Sequence, residues 1–215
     1  MSQDTDPDDD WRDAVREAMH EATLHEAQQR FDSREPVYNY RWEHVRAVRT
    51  LALKLARMMG ADEEVVEAAA WLHDVRKVAG EEHPEEGAEF ARRFLAQTNF
   101  PPHKIERVAQ AIAAHKGLWR EEPLQSVEAQ VLWDADKLSK LGLTAAFHWT
   151  GMSFANGNPL STEDLIAMAR DTDWQERTVA SMHTPAARRT AAERLASYNK
   201  LWDSLEAELE GRDLQ

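Results

Sequence analysis

At 215 residues the chain is long enough to bury its own core, and 42% hydrophobic against 30% charged residues is a globular balance. The absence of cysteine excludes disulfides, thiolate catalysis and zinc–cysteine sites, and no apolar run reaches the ~20 residues that span a bilayer. A formal net charge of −13 argues against a nucleic-acid partner; with no basic-then-apolar leader at the N-terminus, a cytoplasmic location is the default expectation.

Residues 1–10 hold five aspartates and almost nothing apolar, which predicts a disordered acidic tail. The run Asp8 to Asp10 is placed to cap a helix from Trp11 to about Arg30, with Trp11, Val15 and Ala18 at helical spacing. His20 and His25 on this helix read as surface histidines. Ser33-Arg34-Glu35-Pro36 breaks it, so residues 11–32 form an N-terminal helix packed on a core domain of 33–212, and that helix could also meet a second copy in a homodimer.

A second helix runs from about Arg41 to Met59 and stops at Gly60. His44, Val48, Leu51, Leu55 and Met58 form its inward stripe, so His44 starts a core-facing row. Asp62 caps the third helix, whose face Val66, Ala70, His73 again ends on a histidine, followed by Asp74. Neighbouring helical residues point about 100° apart, so His73 and Asp74 can both reach one ion beyond the helix end. A buried carboxylate without a cation is expensive, and an ion nearby removes that cost.

His83-Pro84 opens a fourth helix to about Gln97, burying Ala88, Ala91, Phe94 and Leu95. Pro101-Pro102 opens a fifth, where Ile105, Val108, Ile112 and His115 repeat before Gly117. For the third time an inward stripe carries a histidine near a helix end. The sixth helix, read as continuous from Ser126 to Phe147, contains Asp134 and Asp136 about 200° apart. Periodicity does not choose between them. A Gly/Asn-rich loop from Gly151 to Pro159, a capping signal at Ser161–Asp164, a short helix from Asp173 to Ser181 and a last one from Pro185 to about Glu210 complete an all-α reading of eight or nine helices.

His44, His73-Asp74, His83, His115 and Asp136 thus stand on different helices of one bundle. Imidazole and carboxylate donors suit manganese, iron, cobalt, nickel, zinc or magnesium without choosing among them. In this order the residues resemble the HD-domain superfamily of metal-dependent phosphohydrolases. Arg41-Trp42-Glu43-His44-Val45 is similar to its first histidine segment, Ala69-Ala70-Trp71-Leu72-His73-Asp74 to its name-giving motif, and Asp134-Ala135-Asp136-Lys137-Leu138 to its closing aspartate motif. His83 and His115, in His-Pro-x-x-Gly-Ala and Ile-x-x-His contexts, match the additional histidines of subfamilies with a second metal. The likeness covers about residues 38–150, and the Ala/Arg-rich last helix is similar to small bacterial members.

The resemblance implies an HD-type helical bundle with one or two divalent ions per chain. His44, His73, Asp74 and Asp136 would hold the first ion, with Asp134 in reserve for Asp136; His83 and His115 would hold the second, with Asp74 as bridge. The implied reaction is hydrolysis of a phosphate ester or anhydride of a nucleotide-like small molecule by a metal-activated water, with Asp74 and Lys77 in catalytic roles and Arg76 and Lys116 as further phosphate contacts. Where the motif is often followed by Ile-Gly-Lys, this chain reads Val75-Arg76-Lys77. No Gly-Tyr-Pro triplet follows, which disfavours cyclic-dinucleotide cleavage, and the synthetase domains of alarmone enzymes are absent. Two other readings are a non-catalytic metal- or nucleotide-binding module, which should have lost one of the six ligands, and a diiron oxygenase, which would contain iron and consume oxygen.

Overall fold

The computed structural model describes residues 10–120, 122–171 and 173–214, and every regular element among them is helical. The expected disordered tail lies outside the described residues except for Asp10, whose carboxylate accepts from Arg12 N and caps α1 (Trp11–Phe31). α1 buries Trp11, Val15, Met19, Thr23 and Ala27, so Met19 rather than Ala18 continues the apolar row. Trp11 meets Phe100 edge to face at 4.8 Å. Arg12 of α1 and Arg49 of the next helix converge on the buried carboxylate of Glu67, which ties the N-terminal helix to the core.

α2 (Tyr40–Met59) ends on Gly60 in the left-handed region at φ 68°, and α3 (Glu63–Leu72) starts on Asp62, which accepts from Val65 N. The buried side of α2 is His44, Val45, Val48, Ala52, Leu55 and Ala56. The expected stripe is therefore rotated at its far end, and Met58 is 63% exposed. α3 is the central element. From Val65 to Leu72 every residue is buried, because α1, α2, α5 and α6 surround it. A helix walled on all sides needs apolar residues all round, and Val65-Val66 through Ala68-Ala69-Ala70-Trp71-Leu72 supplies them.

A tight 3-10 stretch over 77–82 leads into α4 (His83–Leu95), with Pro84 in its first turn. α4 packs along α5 (Ile105–Ala114), and Phe94 lies only partly buried against the core while Leu95 goes fully inside. α6 (Val127–Leu138) and α7 (Leu143–Ala155) replace the single helix expected from Ser126 to Phe147. The break is at Gly142, at φ 81°, where α10 (Pro185–Leu209) crosses so closely that an added Cβ would stand 2.8 Å from Arg194 Cβ. Arg194 satisfies the freed carbonyl of Leu138, and Gln175 accepts from Gly142 N at 3.0 Å.

The Gly/Asn-rich loop begins later than expected. Gly151 lies inside α7, where Tyr38 packs against it and a Cβ would meet the ring at 2.9 Å. α8 (Thr162–Arg170) starts on a complete capping box of Ser161 and Asp164. α9 (Trp174–Ala180) and α10 close the bundle, and Trp133 of α6 donates to Ser181 O at 3.1 Å beneath them. Among the described residues ten α-helices result, one more than the upper expectation, because the sixth is divided. No helix among the described residues is long and apolar enough to cross a membrane.

Gly142→Ala combines a positive φ with a backbone collision, and lowers stability by about 1–3 kcal/mol. A urea midpoint indistinguishable from that of the parent would show that α10 can move away at little cost.

Candidate metal centre

Five helix ends meet at one place in the bundle. His44 lies one turn into α2, His73 caps the C-terminus of α3 with Asp74 next to it, His83 is the first residue of α4, His115 caps the C-terminus of α5, and Asp136 stands in the last turn of α6. All but His83 are buried, and His73 is 0% exposed. The six expected residues are thus brought together in two groups. His44, His73 and Asp136 offer donor atoms within 4.8 Å of one another, and so do Asp74, His83 and His115.

Asp74 faces both groups. Its Oδ2 lies 3.5 Å from His44 Nε2 and 3.6 Å from His73 Nε2, while Oδ1 lies 3.3 Å from His83 Nε2 and 3.7 Å from His115 Nε2. Asp136 Oδ1 is 3.2 Å from His44 Nε2 and 3.9 Å from His73 Nε2.

The hydrogen bonds decide which ring nitrogens are available. His73 Nδ1 faces Ala70 O at 2.9 Å, His83 Nδ1 faces Gly80 O at 2.5 Å, and His115 Nδ1 faces Ile112 O. A carbonyl only accepts, so each of these Nδ1 atoms holds the proton. His44 Nδ1 faces Ser139 Oγ at 2.9 Å, and Ser139 donates its own proton to Asp136 O at 2.7 Å, so His44 is the donor there too. The Nε2 atoms of all four rings then point inward. Those of His44 and His73 stand 3.3 Å apart, and those of His83 and His115 stand 3.2 Å apart. Lone pairs facing each other repel unless a cation lies between them, which is the donor set that divalent ions take. The residues present fit one ion per group.

Electrostatics favour the same protonation. Burial pushes the His73 imidazole down to about 3 against the pull of Asp74, and burial likewise lowers His115, so both stay neutral ligands. Burial alone would raise Asp74, yet Arg41 and His73 hold its carboxyl well below the usual range. Asp136 is held low against burial by Lys137 at 2.8 Å, Lys140 at 2.6 Å and His44.

The two aspartates that periodicity left undecided separate cleanly. Asp136 faces the histidines, whereas the fully buried Asp134 accepts from His183 N at 2.8 Å and Thr184 N at 2.7 Å on the far side of α6, just before α10. Lys77 reaches Asp74 Oδ1 at 3.2 Å and His83 Nε2 at 3.0 Å. Lys116 lines the same cleft but pairs with Glu85 at 3.0 Å. Arg76 stacks its guanidinium 4.6 Å above the Phe90 ring and lies on the α1 side of the motif, so its expected phosphate contact is replaced by packing. Four residues at the centre have no role assigned from the sequence: Arg41, which donates to Asp74 Oδ2, Lys137, Ser139 and Lys140. Arg41 and His44 lie one helical turn apart, and so do Asp136 and Ser139, which is the signal that could have found them.

The cleft over these residues holds ≈ 570 Å³ and is lined by Asp74, His83, His115 and Asp136 at its floor, with Lys77, Lys140 and Leu118 around them. Its scale is that of a small-molecule site.

Two outcomes follow. Asp134→Asn keeps an oxygen for one of the two backbone amides but sets an NH2 donor against the other, and destabilises the fold by about 1–3 kcal/mol while bound metal is unchanged; Asp136→Asn lowers bound metal. Equal metal content in both variants, measured by inductively coupled plasma mass spectrometry, would remove the distinction. Because the folded pKa of His73 lies below its unfolded value, the unfolded chain takes up the proton first as pH falls below about 6.5. The metal-free protein therefore loses roughly 3 kcal/mol from this ring between pH 6.5 and pH 4, with His115 adding in the same direction. Urea titrations across that range check it, and a slope no shallower in His73→Gln would count against it.

The HD domain profile matches residues 41–141, a stretch that includes all six residues. Ribonuclease Y of Sulfurovum sp. (strain NBC37-1) is 38% identical over 100 residues, which are 45% of this chain and only 18% of that protein. The crystal structure of Bacillus subtilis YpgQ in complex with ADP superposes with a TM-score of 0.66 at 22% identity, covering 92% of this chain and 94% of that one. A predicted HD superfamily hydrolase from an uncultured Thermotogales bacterium gives 0.59 at 24% identity, over 90% and 92% of the two chains. At such identities the structures speak for a shared fold, and the matched stretch speaks for the domain. What the comparisons identify is residues 41–141 as an HD domain.

Proposed function

We propose that the protein is a metal-dependent phosphohydrolase that cleaves a phosphate ester or anhydride in a nucleotide-like small molecule. The observation that supports this most is Asp74 standing between two sets of inward-facing imidazole nitrogens at the floor of a lysine-lined cleft. His44, His73, Asp136 and Asp74 Oδ2 would hold one divalent ion, and His83, His115 and Asp74 Oδ1 a second. Ions held there lower the pKa of water, polarise a phosphoryl oxygen and stabilise the attacking and leaving oxygens of an in-line displacement.

The chain's own residues do the rest. Three carbonyls and Ser139 hold Nδ1 of the four rings, so each ring is oriented with Nε2 towards the ion it would bind. Lys77 is 32% exposed at the cleft and can turn from Asp74 and His83 towards a phosphate oxygen. Lys140 neutralises Asp136 from the other wall. These cations give a chain of net charge −13 a locally positive cleft for an anionic substrate. A small substrate fits this charge balance better than a polynucleotide, and the ADP bound to YpgQ supports a nucleotide.

The test is metal analysis of protein purified without chelator, followed by turnover of nucleotides and generic phosphate esters with manganese, cobalt or magnesium. His73→Ala and Asp74→Ala should lose turnover by about a thousandfold or more with their circular dichroism unchanged. His83→Ala and His115→Ala should each lower the metal bound per chain. Unchanged turnover in the first pair would defeat the proposal, metal binding without turnover of any phosphate compound would make the protein a binding module, and iron with oxygen uptake would make it an oxygenase.

A further inference from the structure

We infer that Glu26 and Arg41 are positioning residues through which the N-terminal helix orients the bridging carboxylate of Asp74 for metal binding. The inference rests on the metal-centre reading above, and adds to it a helix that lies outside the matched 41–141 stretch.

Arg41 is a three-way junction. Its Nε and Nη2 donate to the two carboxylate oxygens of Glu26 on α1 at 2.8 and 3.2 Å, and its Nη1 donates to Asp74 Oδ2. The side chains of Arg41 and Glu26 are 12% and 20% exposed and that of Asp74 is 2% exposed, so this chain of charges is largely shielded from water. A planar guanidinium can grip one carboxylate with two donors and still offer a third to another; an ammonium has no such fixed geometry. The oxygen it engages is the one that faces His44 and His73. With Lys77 on Oδ1, the carboxylate is gripped at both oxygens and its plane is set, so that one oxygen is presented to each group of imidazoles.

Glu26 has a second effect. It neutralises Arg41, which limits the draw of the guanidinium on Asp74. Removing the Glu26 charge leaves an uncompensated cation beside the bridging carboxylate, where it both misorients the group and competes with a metal ion for Oδ2. The two effects act in the same direction and lower metal affinity. α1 also carries a comparison pair that is not bonded to Arg41 or Asp74: Glu21 with Arg34, 63% and 48% exposed.

The experiment is isothermal titration calorimetry of Mn²⁺ into the metal-free full chain. Glu26→Gln, and separately Arg41→Lys, should bind Mn²⁺ about tenfold or more weakly than the parent. Glu21→Gln should bind like the parent, and the circular dichroism of all metal-free variants should be unchanged. Parent-like Mn²⁺ affinity in both Glu26→Gln and Arg41→Lys would overturn the inference while leaving the metal centre intact. So would an equal loss in Glu21→Gln, which would indicate a general effect of α1, or unfolding of metal-free Glu26→Gln, which would assign the junction to fold stability. A parent protein that takes up no Mn²⁺ would instead remove the metal-centre reading and this inference with it.

Discussion

Four imidazoles that each donate a hydrogen bond from Nδ1 turn their Nε2 atoms towards one another, and the rest of the centre answers that constraint. The acceptors are fixed by backbone geometry. His73 and His115 each stand one residue past a helix, where the carbonyls of the last turn lack intrahelical partners, and each ring turns back to the carbonyl three residues earlier. The helix end therefore does two things at once. It satisfies its own orphan carbonyl, and it aims Nε2 away from the helix towards the middle of the bundle.

The same burial that keeps the rings neutral makes isolated carboxylates costly, so Asp74 and Asp136 are surrounded by cations. Arg41 and Lys77 serve one, Lys137 and Lys140 the other. Two anions and four cations in so small a volume give the centre a net positive surplus before any ion is bound. That surplus is suited to an anionic substrate and opposes a cation, so the geometric fit of the donors has to outweigh part of the local field. Glu26 takes up some of that surplus from α1, outside the matched 41–141 stretch.

Much of this was readable from the residue order. Three apolar stripes each carried a histidine near a helix end, and an all-α bundle with those stripes inward leaves their ends to meet. The division of the expected sixth helix was not readable in the same way. Gly142 was visible, but a glycine inside a helical pattern is tolerated unless another element crosses it, and the crossing partner, Arg194, lies 52 positions further on in the chain (194 − 142). Gly151 erred in the opposite direction. It looked like a loop residue, and it is a helical contact that admits the Tyr38 ring.

Taken by itself, the sequence determined the helical class and the helix caps at Asp10, Asp62 and Ser161 by local spacing and local backbone chemistry, and pointed to His44, His73, Asp74, His83 and His115 through their placement near helix ends and the family resemblance. Only the tertiary structure decided between Asp134 and Asp136, turned Arg76 onto Phe90, and connected Glu26 to Asp74 through Arg41. The physical reason is the same in each case. Both aspartates sit on a helix buried on every side, so periodicity marks no unique inward face, and what each carboxylate does is settled by the element that happens to pack against it.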